Sequence, residues 1–211
     1  MFCDPRMRAR KNELLKSSLS GYTDSMHVIF RTLLTLLAAR RRPRISLFDT
    51  SVISLRALPT DVDLFLHINN GQYFSLFDLG RHDLMARSGM TRAARRRRWR
   101  PVVQSEQITF RKSVTLMTKC QLYTRMIGMD EKCMYIEHRI VVDGEIFVRG
   151  VVAGRIVGPE GPVSNEELVA MAAELGEQVP EDFAADADLV RWREESALPS
   201  SRRPAPNPWQ S

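Results

Sequence analysis

Residue types that can carry out acid–base or nucleophilic chemistry are concentrated in the segment Asp61–Asn70, directly before an apolar stretch with helical spacing. Asp63 and His67 within it supply a carboxylate and an imidazole, side chains that often serve as general bases. The apolar stretch begins at Gly71, and free backbone N–H groups at the start of a helix attract negative charge. A carboxylate just upstream can face whatever binds there, so this segment is a candidate active site.

The two leading residues also have structural interpretations. Asp63 could attack an electrophile or activate water, and the alternative is a turn aspartate that accepts hydrogen bonds from nearby amides. His67 could act as a base or orient a substrate oxygen, and the alternative is a histidine bonded to a loop carbonyl. We interpret Asp61, two residues before Asp63, as a turn residue.

Amide and carboxylate side chains continue into the predicted helix. Asn69 and Asn70 directly precede the apolar stretch, and we expect at least one of them to cap the helix. Asp78 and His82 follow within the stretch, one helical turn apart.

A strand, a loop and a helix position these residues, and strands follow the helix. Apolar residues recur from Val52 to Leu58, which predicts a first strand, and the helix is predicted to run from Gly71 to Ser88. Asp143–Gly144 predicts a two-residue hairpin turn, because both residue types tolerate positive φ. Alternating apolar residues predict four further strands, near residues 102–110, 114–126, 134–142 and 146–156.

These elements predict an α+β fold in which a long antiparallel sheet wraps around one central helix. Ser164 and Glu167 have the spacing of a capping box and predict a helix ending near Gly176, with a shorter helix near 181–195. The expected organisation is a folded domain at 51–158, C-terminal helices at 164–197, an amphipathic helix and linker at 26–50, and disordered segments at 1–25 and 198–211.

The predicted N-terminal helix, residues 26–39, is apolar with a basic end. It is followed by Arg40, Arg41, Arg42 and Arg44. It is too short to cross a membrane. We favour packing of its apolar face against the sheet of the domain; the alternative is a helix on a membrane surface, which would make the protein peripheral to the membrane. Met26 is an alternative start to Met1.

Charge and cysteine content indicate which partners and which compartment suit the protein. The 211 residues carry a net charge of +6 and an isoelectric point near 9.6, which favours acidic partners such as phosphates, an acidic carrier protein, nucleic acid or anionic lipid. Cys3, Cys120 and Cys133 form no disulfide pattern and favour a reducing, cytoplasmic location. We expect no metal and no cofactor. Cys120 and His138 lie on apolar strand faces and are expected in the core.

The string HINNGQY, preceded by Asp-Val-Asp and followed by an apolar helix, resembles the hot-dog-fold thioesterases. In proteins similar to 4-hydroxybenzoyl-CoA thioesterase, the catalytic aspartate corresponds to Asp63. The chain most resembles bacterial proteins similar to eukaryotic thioesterase superfamily member six, over roughly residues 26–157. The plant acyl-carrier-protein thioesterases have a catalytic asparagine where Phe65 stands here. The positions that match the plant pattern are Asp63, His67, Asn69, Asn70 and Tyr73.

The resemblance implies hydrolysis of acyl-CoA or acyl-carrier-protein thioesters, as in fatty acid metabolism. The implied catalytic residues are Asp63, His67, Asn69 and Asn70, and the implied substrate-binding residues are Gly71, Gln72 and Tyr73. A related hot-dog group uses a carboxylate on the helix, which implies Asp78 as a reserve nucleophile. Protomers would pair edge to edge as a homodimer or a dimer of dimers, with the thioester between subunits and its carbonyl at the helix start. A non-catalytic acyl-thioester binder is the alternative. Dehydration chemistry is disfavoured, because the spacing of Asp63 and His67 differs from that of the dehydratase branch of the fold.

The basic run at residues 92–100 gives a further expectation. We expect Arg95, Arg96, Arg97 and Arg98 to hold the 3′-phosphate of CoA or an acidic carrier surface, because arginine binds phosphate bidentately. A solvated loop is the alternative. The run contains one tryptophan and no recognisable reader motif, so we do not expect a nucleic acid partner. The polar residues at 104–106 are candidates for supporting residues or for a solvated strand edge.

Overall fold

A computed structural model describes residues 29–200, 202–207 and 209 of the chain. The predicted disorder at 1–25, the alternative start at Met26 and part of the predicted disordered tail therefore lie outside the described residues. The described residues form a curled antiparallel sheet that wraps around a long helix, with shorter helices at its flanks.

The sheet has six strands, and every strand pair is antiparallel. The strands are β1 (Ser51–Arg56), β2 (Arg100–Phe110), β3 (Lys119–Met129), β4 (Met134–Val142), β5 (Glu145–Gly158) and β6 (Gly161–Pro162). Their order is β1-β3-β4-β5-β2, and the short β6 pairs with the end of β5. The two long edges of the sheet are therefore β1 and β2.

In the described part of the chain, five helices accompany the sheet. They are α1 (29–39), α2 (Gln72–Arg87), α3 (Met90–Arg96), α4 (Asn165–Glu174) and α5 (Ala187–Glu195). α2 follows β1 and agrees with the predicted central helix. α3 was not predicted, and it takes up the first part of the basic run because its Ala93 and Ala94 are buried against the domain.

The predicted hairpin turn and the predicted capping box are confirmed. Asp143 and Gly144 both have positive φ, 50° and 81°, where β4 turns into β5. The Ser164 hydroxyl oxygen accepts a hydrogen bond from the Glu167 N–H at 3.3 Å, and the Glu167 carboxylate accepts one from the Ser164 N–H at 2.9 Å. This reciprocal pair is the capping box at the start of α4.

Two predicted boundaries are wrong. The strand predicted at 114–126 begins only at Lys119, because the preceding residues bond to the candidate site: the Val114 carbonyl accepts the Ile68 N–H at 2.9 Å. The helix predicted at 181–195 begins at Ala187, because the residues before it are extended and pair with the end of β3. In both cases, hydrogen bonds to a segment distant in sequence move the start of the element away from the position that the local pattern predicts.

α2 lies in close contact with the concave face of the sheet. A Cβ added to Gly80 of α2 would come within 2.1 Å of the Thr124 hydroxyl oxygen on β3. On β5, a Cβ added to Gly150 would come within 2.3 Å of the Phe77 ring of α2. Phe77 also stacks on the His138 ring of β4, with 4.7 Å between ring centroids. These contacts leave no space for larger residues and so fix the depth of the helix.

α1 contacts the domain through its polar side. Arg31 donates hydrogen bonds to both oxygens of the Asp61 carboxylate, at 2.7 and 2.8 Å, and Ala39 is buried. Five large apolar residues of the helix are exposed, and Leu36 is half-buried; the exposed ones are Ile29, Phe30, Leu33, Leu34 and Leu37. The prediction that the apolar face packs on the sheet is therefore wrong, because a long-range ion pair sets the orientation of the helix.

We expect Gly150→Ala to lower the free energy of unfolding by about 1–3 kcal/mol, because the new methyl group must displace the buried Phe77 ring. Gly154→Ala on the same strand is the matched control, since its Cβ would lie 3.4 Å from the Val102 carbonyl oxygen, an ordinary contact. Urea titration measures both variants. Equal unfolding midpoints would contradict the close helix–sheet contact.

Candidate active site

The site segment forms a closed loop between β1 and α2, which we call the reaction loop (residues 61–71). An isolated bridge joins Val62 to Ile68, and inside it the Asp63 N–H donates to the His67 carbonyl at 2.9 Å. The tip at Leu64–Leu66 is apolar and exposed, with Leu64 at 99%. The loop therefore holds Asp63 beside the main chain of His67, at the base of an apolar tip.

Asp61 fixes the reaction loop to the rest of the domain. Its buried carboxylate accepts hydrogen bonds from the Leu58 N–H at 2.8 Å and from the Arg31 guanidinium at 2.7 Å. Its carbonyl accepts the Asn69 N–H at 2.8 Å. The interpretation of Asp61 as a turn residue is confirmed, and its ion pair with Arg31 also joins α1 to the loop.

The Asp63 carboxylate is half-buried, and one of its two oxygens is engaged. Oδ1 accepts a hydrogen bond from the Phe65 N–H at 2.9 Å, which is the turn interaction given above as the alternative. No described residue donates a hydrogen bond to Oδ2. The turn interaction therefore orients the carboxylate and leaves one oxygen for chemistry.

The amides at the start of α2 are only partly available. The Asn69 side-chain oxygen accepts the Gly71 N–H, and the Asn69 carbonyl accepts the Gln72 N–H, both at 2.9 Å. Asn69 thus forms a turn just before the helix. The expectation that Asn69 or Asn70 caps α2 is wrong, because Gly71 is the N-cap residue and no side chain caps this helix. The expectation that the Gly71 and Gln72 amides bind substrate is corrected, because acceptors already occupy them. Among the described residues, the Asn70 N–H has no acceptor.

Tyr73 is a core residue rather than a substrate contact. Its ring packs against Phe110 of β2 with 5.5 Å between centroids, and burial raises the pKa of its phenol to about 12. The expected substrate-binding role is therefore corrected for this side chain. His67 is half-buried, and its imidazole has no hydrogen-bond partner in the part of the chain that the structure describes. Its ring remains available as a base or a substrate contact.

A second group of charged side chains lies where α2 faces β2. Arg81 binds the Asp78 carboxylate at 2.5 Å and lies 3.2 Å from the Glu106 carboxylate. The Glu106 contact lacks hydrogen-bond geometry, so its buried Oε1 atom has no hydrogen bond to any described residue. Burial raises the pKa of Glu106, and the charge of Arg81 opposes that rise. Burial lowers the pKa of His82, and the charge of Asp78 opposes that shift.

An apolar cavity of about 230 Å³ opens beside this second group. Asp78, Arg81 and His82 form much of its polar wall, and Pro101–Val103 of the edge strand β2 form one side. Four methionines contribute to its apolar wall; they are Met85, Met90, Met126 and Met134. Asp63 does not line this cavity. Within one protomer, the reserve nucleophile Asp78 therefore lies beside the apolar cavity.

His138 is a core residue, as expected. It is fully buried, with Thr124 Oγ1 2.9 Å from Nδ1 and the Arg81 guanidinium 3.3 Å from Nε2. Burial, followed by the nearby charge of Arg81, lowers the pKa of His138 well below its ordinary value. The imidazole is therefore neutral near physiological pH, and it connects the sheet to the charged group on α2.

The arginines of the basic run divide into paired and unpaired residues. Arg97 binds a carboxylate of α4 at 2.5 Å, which corrects its expected role as a substrate contact. Arg95 and Arg98 line an open groove of about 400 Å³ together with Arg100, which the sequence had not singled out. We call this the arginine groove. Arg96 is exposed outside it.

In the described part of the chain, no three His, Cys, Asp or Glu side chains are grouped so as to hold a metal ion. None of the described helices combines the length and the hydropathy needed to cross a membrane. Burial raises the pKa of the Cys120 thiol to about 11 and also raises that of Cys133. Neither cysteine is therefore a thiolate nucleophile near neutral pH.

Comparison with known proteins identifies the family. Residues 57–178 match the thioesterase-like superfamily. The chain belongs to this superfamily. It is 34% identical to Protein THEM6 of Danio rerio over 104 residues, covering 49% of this chain and 52% of that protein. It is 26% identical to Protein THEM6 of Drosophila melanogaster over 134 residues, or 62% and 68% of the two chains. The chain thus spans about half to two thirds of the length of these relatives.

Solved structures have the same fold at low sequence identity. A probable thioesterase from Escherichia coli superimposes with a TM-score of 0.55 at 14% identity, covering 59% of this chain and 96% of that one. The DHNA-CoA thioesterase from Staphylococcus aureus gives a TM-score of 0.53 at 14% identity, with 71% and 96% covered. The predicted α+β hot-dog fold is confirmed.

Sequence reasoning missed two arginines of these sites. Arg81 stands three residues after Asp78, a spacing that favours an ion pair on a helix, and this signal could have found it. Arg100 ends the basic run and was detectable only as one more arginine. Glu106 was singled out merely as one of three polar residues, because its contact with Arg81 depends on how α2 crosses β2.

We expect the buried His138 to make the protein less stable as the pH falls below about 6.5. The unfolded chain takes up a proton on this imidazole near that pH, whereas the folded chain, with a much lower His138 pKa, does not. This loss approaches about 1.4 kcal/mol per pH unit. Urea titrations of wild type and His138→Gln between about pH 7.5 and 5 measure it. Parallel pH profiles for the two proteins would contradict the assignment.

Proposed function

We propose that this protein hydrolyses acyl thioesters to a free acid and a thiol, using the reaction loop before α2. Membership of the thioesterase-like superfamily supports this reaction class. The observation that carries the proposal is one hydrogen-bonded loop with two free groups: no described residue engages Oδ2 of Asp63 or the N–H of Asn70. Acyl-CoA and acyl carrier protein are the candidate substrates.

The mechanism starts with Asp63, which attacks the acyl carbon or removes a proton from a water molecule that does so. The carbonyl oxygen becomes negatively charged, and the Asn70 N–H donates to it; one well-placed donor contributes about 3 kcal/mol. The C–S bond then breaks, and the leaving thiolate takes up a proton; we assign its delivery to His67 of the same loop, which regains a proton from the acid formed at Asp63 or from water. In the nucleophilic route, water hydrolyses the resulting anhydride, so both routes consume one water.

Asp78 is the competing nucleophile. It borders the apolar cavity, and an apolar cavity with a few polar groups suits an acyl chain next to its thioester. Its ion pair with Arg81 holds the carboxylate in position. Substituting each aspartate in turn separates the two assignments.

We expect Asp63→Asn to lower kcat by about a hundredfold or more while the fold is retained. Asparagine removes the charge and keeps the Oδ1 atom that accepts the Phe65 N–H. Thiol release from acyl-CoA thioesters of graded chain length measures turnover, and thermal melts check the fold. Asp78→Asn is the matched comparison. Wild-type turnover of Asp63→Asn together with loss in Asp78→Asn would transfer the role to Asp78.

A non-catalytic acyl-thioester binder is the second candidate function. Two observations favour it: Phe65 is exposed where the plant enzymes have a catalytic asparagine, and two amides at the start of α2 are already occupied. Saturable binding of acyl-CoA by the wild-type protein without thiol release would establish this function.

We further propose a homodimer formed through β2, an edge strand of the sheet. Val102 and Val103 on this strand are exposed, and with Pro101 they form one side of the apolar cavity. The unpaired main-chain groups of an edge strand pair readily with a second copy. Such pairing would extend the sheet and close the cavity on its open side.

Antiparallel pairing of β2 with itself would combine the reaction loop of one protomer with the cavity of the other. Phe110 at the end of β2 packs on Tyr73 near the start of α2, whereas Arg100 lies at the opposite end, roughly 35 Å of strand away. A two-fold axis across β2 therefore brings the reaction loop of one protomer towards its partner's cavity and arginine groove. The groove would hold the phosphates of CoA, or an acidic carrier, while the partner's Asp63 acts on the thioester.

We expect Arg95→Ser/Arg98→Ser to raise KM for acyl-CoA by about tenfold with kcat little changed, because the contact is remote from the acyl carbon. Arg96→Ser is the matched control, since Arg96 is exposed outside the groove. An acyl-CoA that lacks the 3′-phosphate should show the same rise in KM with the wild-type protein. Equal KM values for all of these combinations would remove the groove from the site.

Mixed dimers test whether the site is shared between protomers. In a dimer of one Asp63→Asn subunit and one Arg95→Ser/Arg98→Ser subunit, a shared arrangement places both defects in one site and leaves the other site intact. Activity with wild-type KM should therefore return on mixing. Its absence would assign the groove to the site of its own protomer, and a stable active monomer in light scattering would contradict the dimer.

A further inference from the structure

α1 carries an apolar surface that the proposed reaction does not use. Its members are 49–61% exposed; they are Ile29, Phe30, Leu33, Leu34 and Leu37, which we call the α1 apolar face. Single exposed apolar residues are common on soluble proteins. A contiguous group on one side of a helix instead marks an interaction surface.

The domain holds α1 in this orientation by polar contacts. Arg31 donates to both oxygens of the buried Asp61 carboxylate. Just after the helix, Arg42 donates to the buried Asp83 carboxylate at 3.0 Å and to the Val52 carbonyl at 2.5 Å. A helix of a soluble domain ordinarily turns its apolar side to the core. Here the polar side is bound to the domain, so the apolar face is presented outward.

Two arginines give this face a cationic end. The side chains of Arg40 and Arg41 are exposed, and no carboxylate in the described part of the chain pairs with them. Residues 29–44 contain no Asp or Glu. A second copy of the chain on this face would therefore bring arginines together. An anionic lipid surface supplies both acyl chains for the apolar face and negative charge for the arginines.

We propose that α1 docks this protein on anionic lipid bilayers. The α1 apolar face enters the boundary between headgroups and acyl chains, and Arg40 and Arg41 meet the headgroup phosphates. The apolar residues occupy one side of α1, and the opposite side carries Arg31 bound to Asp61, so α1 lies along the surface.

Docking brings the reaction loop to the lipid surface. Arg31 joins α1 to Asp61, two residues before Asp63, and the exposed apolar tip at 64–66 belongs to the same loop. A long-chain acyl thioester held in the bilayer would then reach the loop without passing through water. This consequence rests on the proposed hydrolysis, whereas the docking itself does not.

Flotation with lipid vesicles tests the docking on the full chain. The vesicles contain phosphatidylcholine alone or phosphatidylcholine with phosphatidylglycerol. We expect binding to the anionic vesicles and a loss of about tenfold or more in Leu33→Ser/Leu37→Ser. Val169→Ser/Leu198→Ser is the matched control, because it removes two exposed apolar side chains outside α1 and should bind as wild type. Arg40→Gln/Arg41→Gln should weaken binding to the anionic vesicles only.

Further measurements separate docking from folding and from turnover. The Leu33→Ser/Leu37→Ser protein should keep the wild-type urea midpoint and the wild-type turnover of a short, water-soluble acyl thioester. Absence of vesicle binding by the wild-type protein would overturn the proposal, as would equal binding by the α1 variant and its control. A lower molar mass of the α1 variant in light scattering, without vesicle binding by wild type, would instead make this face an interface between copies.

Discussion

The depth at which α2 sits in the curled sheet is the constraint on which the other features depend. Gly80 against Thr124, and Gly150 beneath Phe77, let the helix approach the sheet more closely than any larger residue would allow. Because α2 is held near its middle, both of its ends are placed as well. Its first turn meets the reaction loop, and its later turns line the apolar cavity with β2. A change in the depth of the helix would therefore move both regions together.

The positive charge of the chain has two separate uses. One set of arginines is paired with largely buried carboxylates. The pairs Arg31–Asp61, Arg42–Asp83 and Arg193–Asp130 fasten flanking segments to the rest of the domain, and Arg87–Asp83 lies within α2. Leaving such a carboxylate buried without its partner costs about 3–5 kcal/mol, so these pairs are structural requirements. Within the part of the chain that the structure describes, no carboxylate pairs with Arg40, Arg41 or the arginines of the arginine groove. These arginines form two surface sites, which contribute to the net charge of +6 in addition to the paired residues.

Local sequence signals predicted the fold well, and contacts between distant segments account for the errors. The helical spacing after Gly71, the alternation in β4 and the Ser164 capping box are properties of neighbouring residues, and the structure agrees with each. The periodicity of α1 correctly indicated an amphipathic helix, but it could not tell which side faces the domain. Arg31 and Asp61, thirty residues apart, decide that question.

The candidate site was predicted in its location more accurately than in its details. Asp63 and the start of α2 are neighbours in the chain, so their proximity was visible in the sequence. The engagement of the Gly71 amide depends on the rotamer of Asn69, and that of Arg97 depends on the position of α4. The cavity beside Asp78 is built mainly from α2 and four strands, so no local pattern indicates it.

The methionines that line this cavity bear on how selective the proposed hydrolase would be. Methionine is unbranched and has a polarizable sulfur, so a wall of four such side chains can change shape at low cost. Branched residues such as Leu84, Val152 and Ile156 share this wall and limit the acyl group more sharply, whereas the methionine part favours gradual discrimination among acyl groups of different shape. The same sulfurs can be oxidised to polar sulfoxides. Oxidative stress would then convert a permissive apolar space into one that excludes long acyl chains.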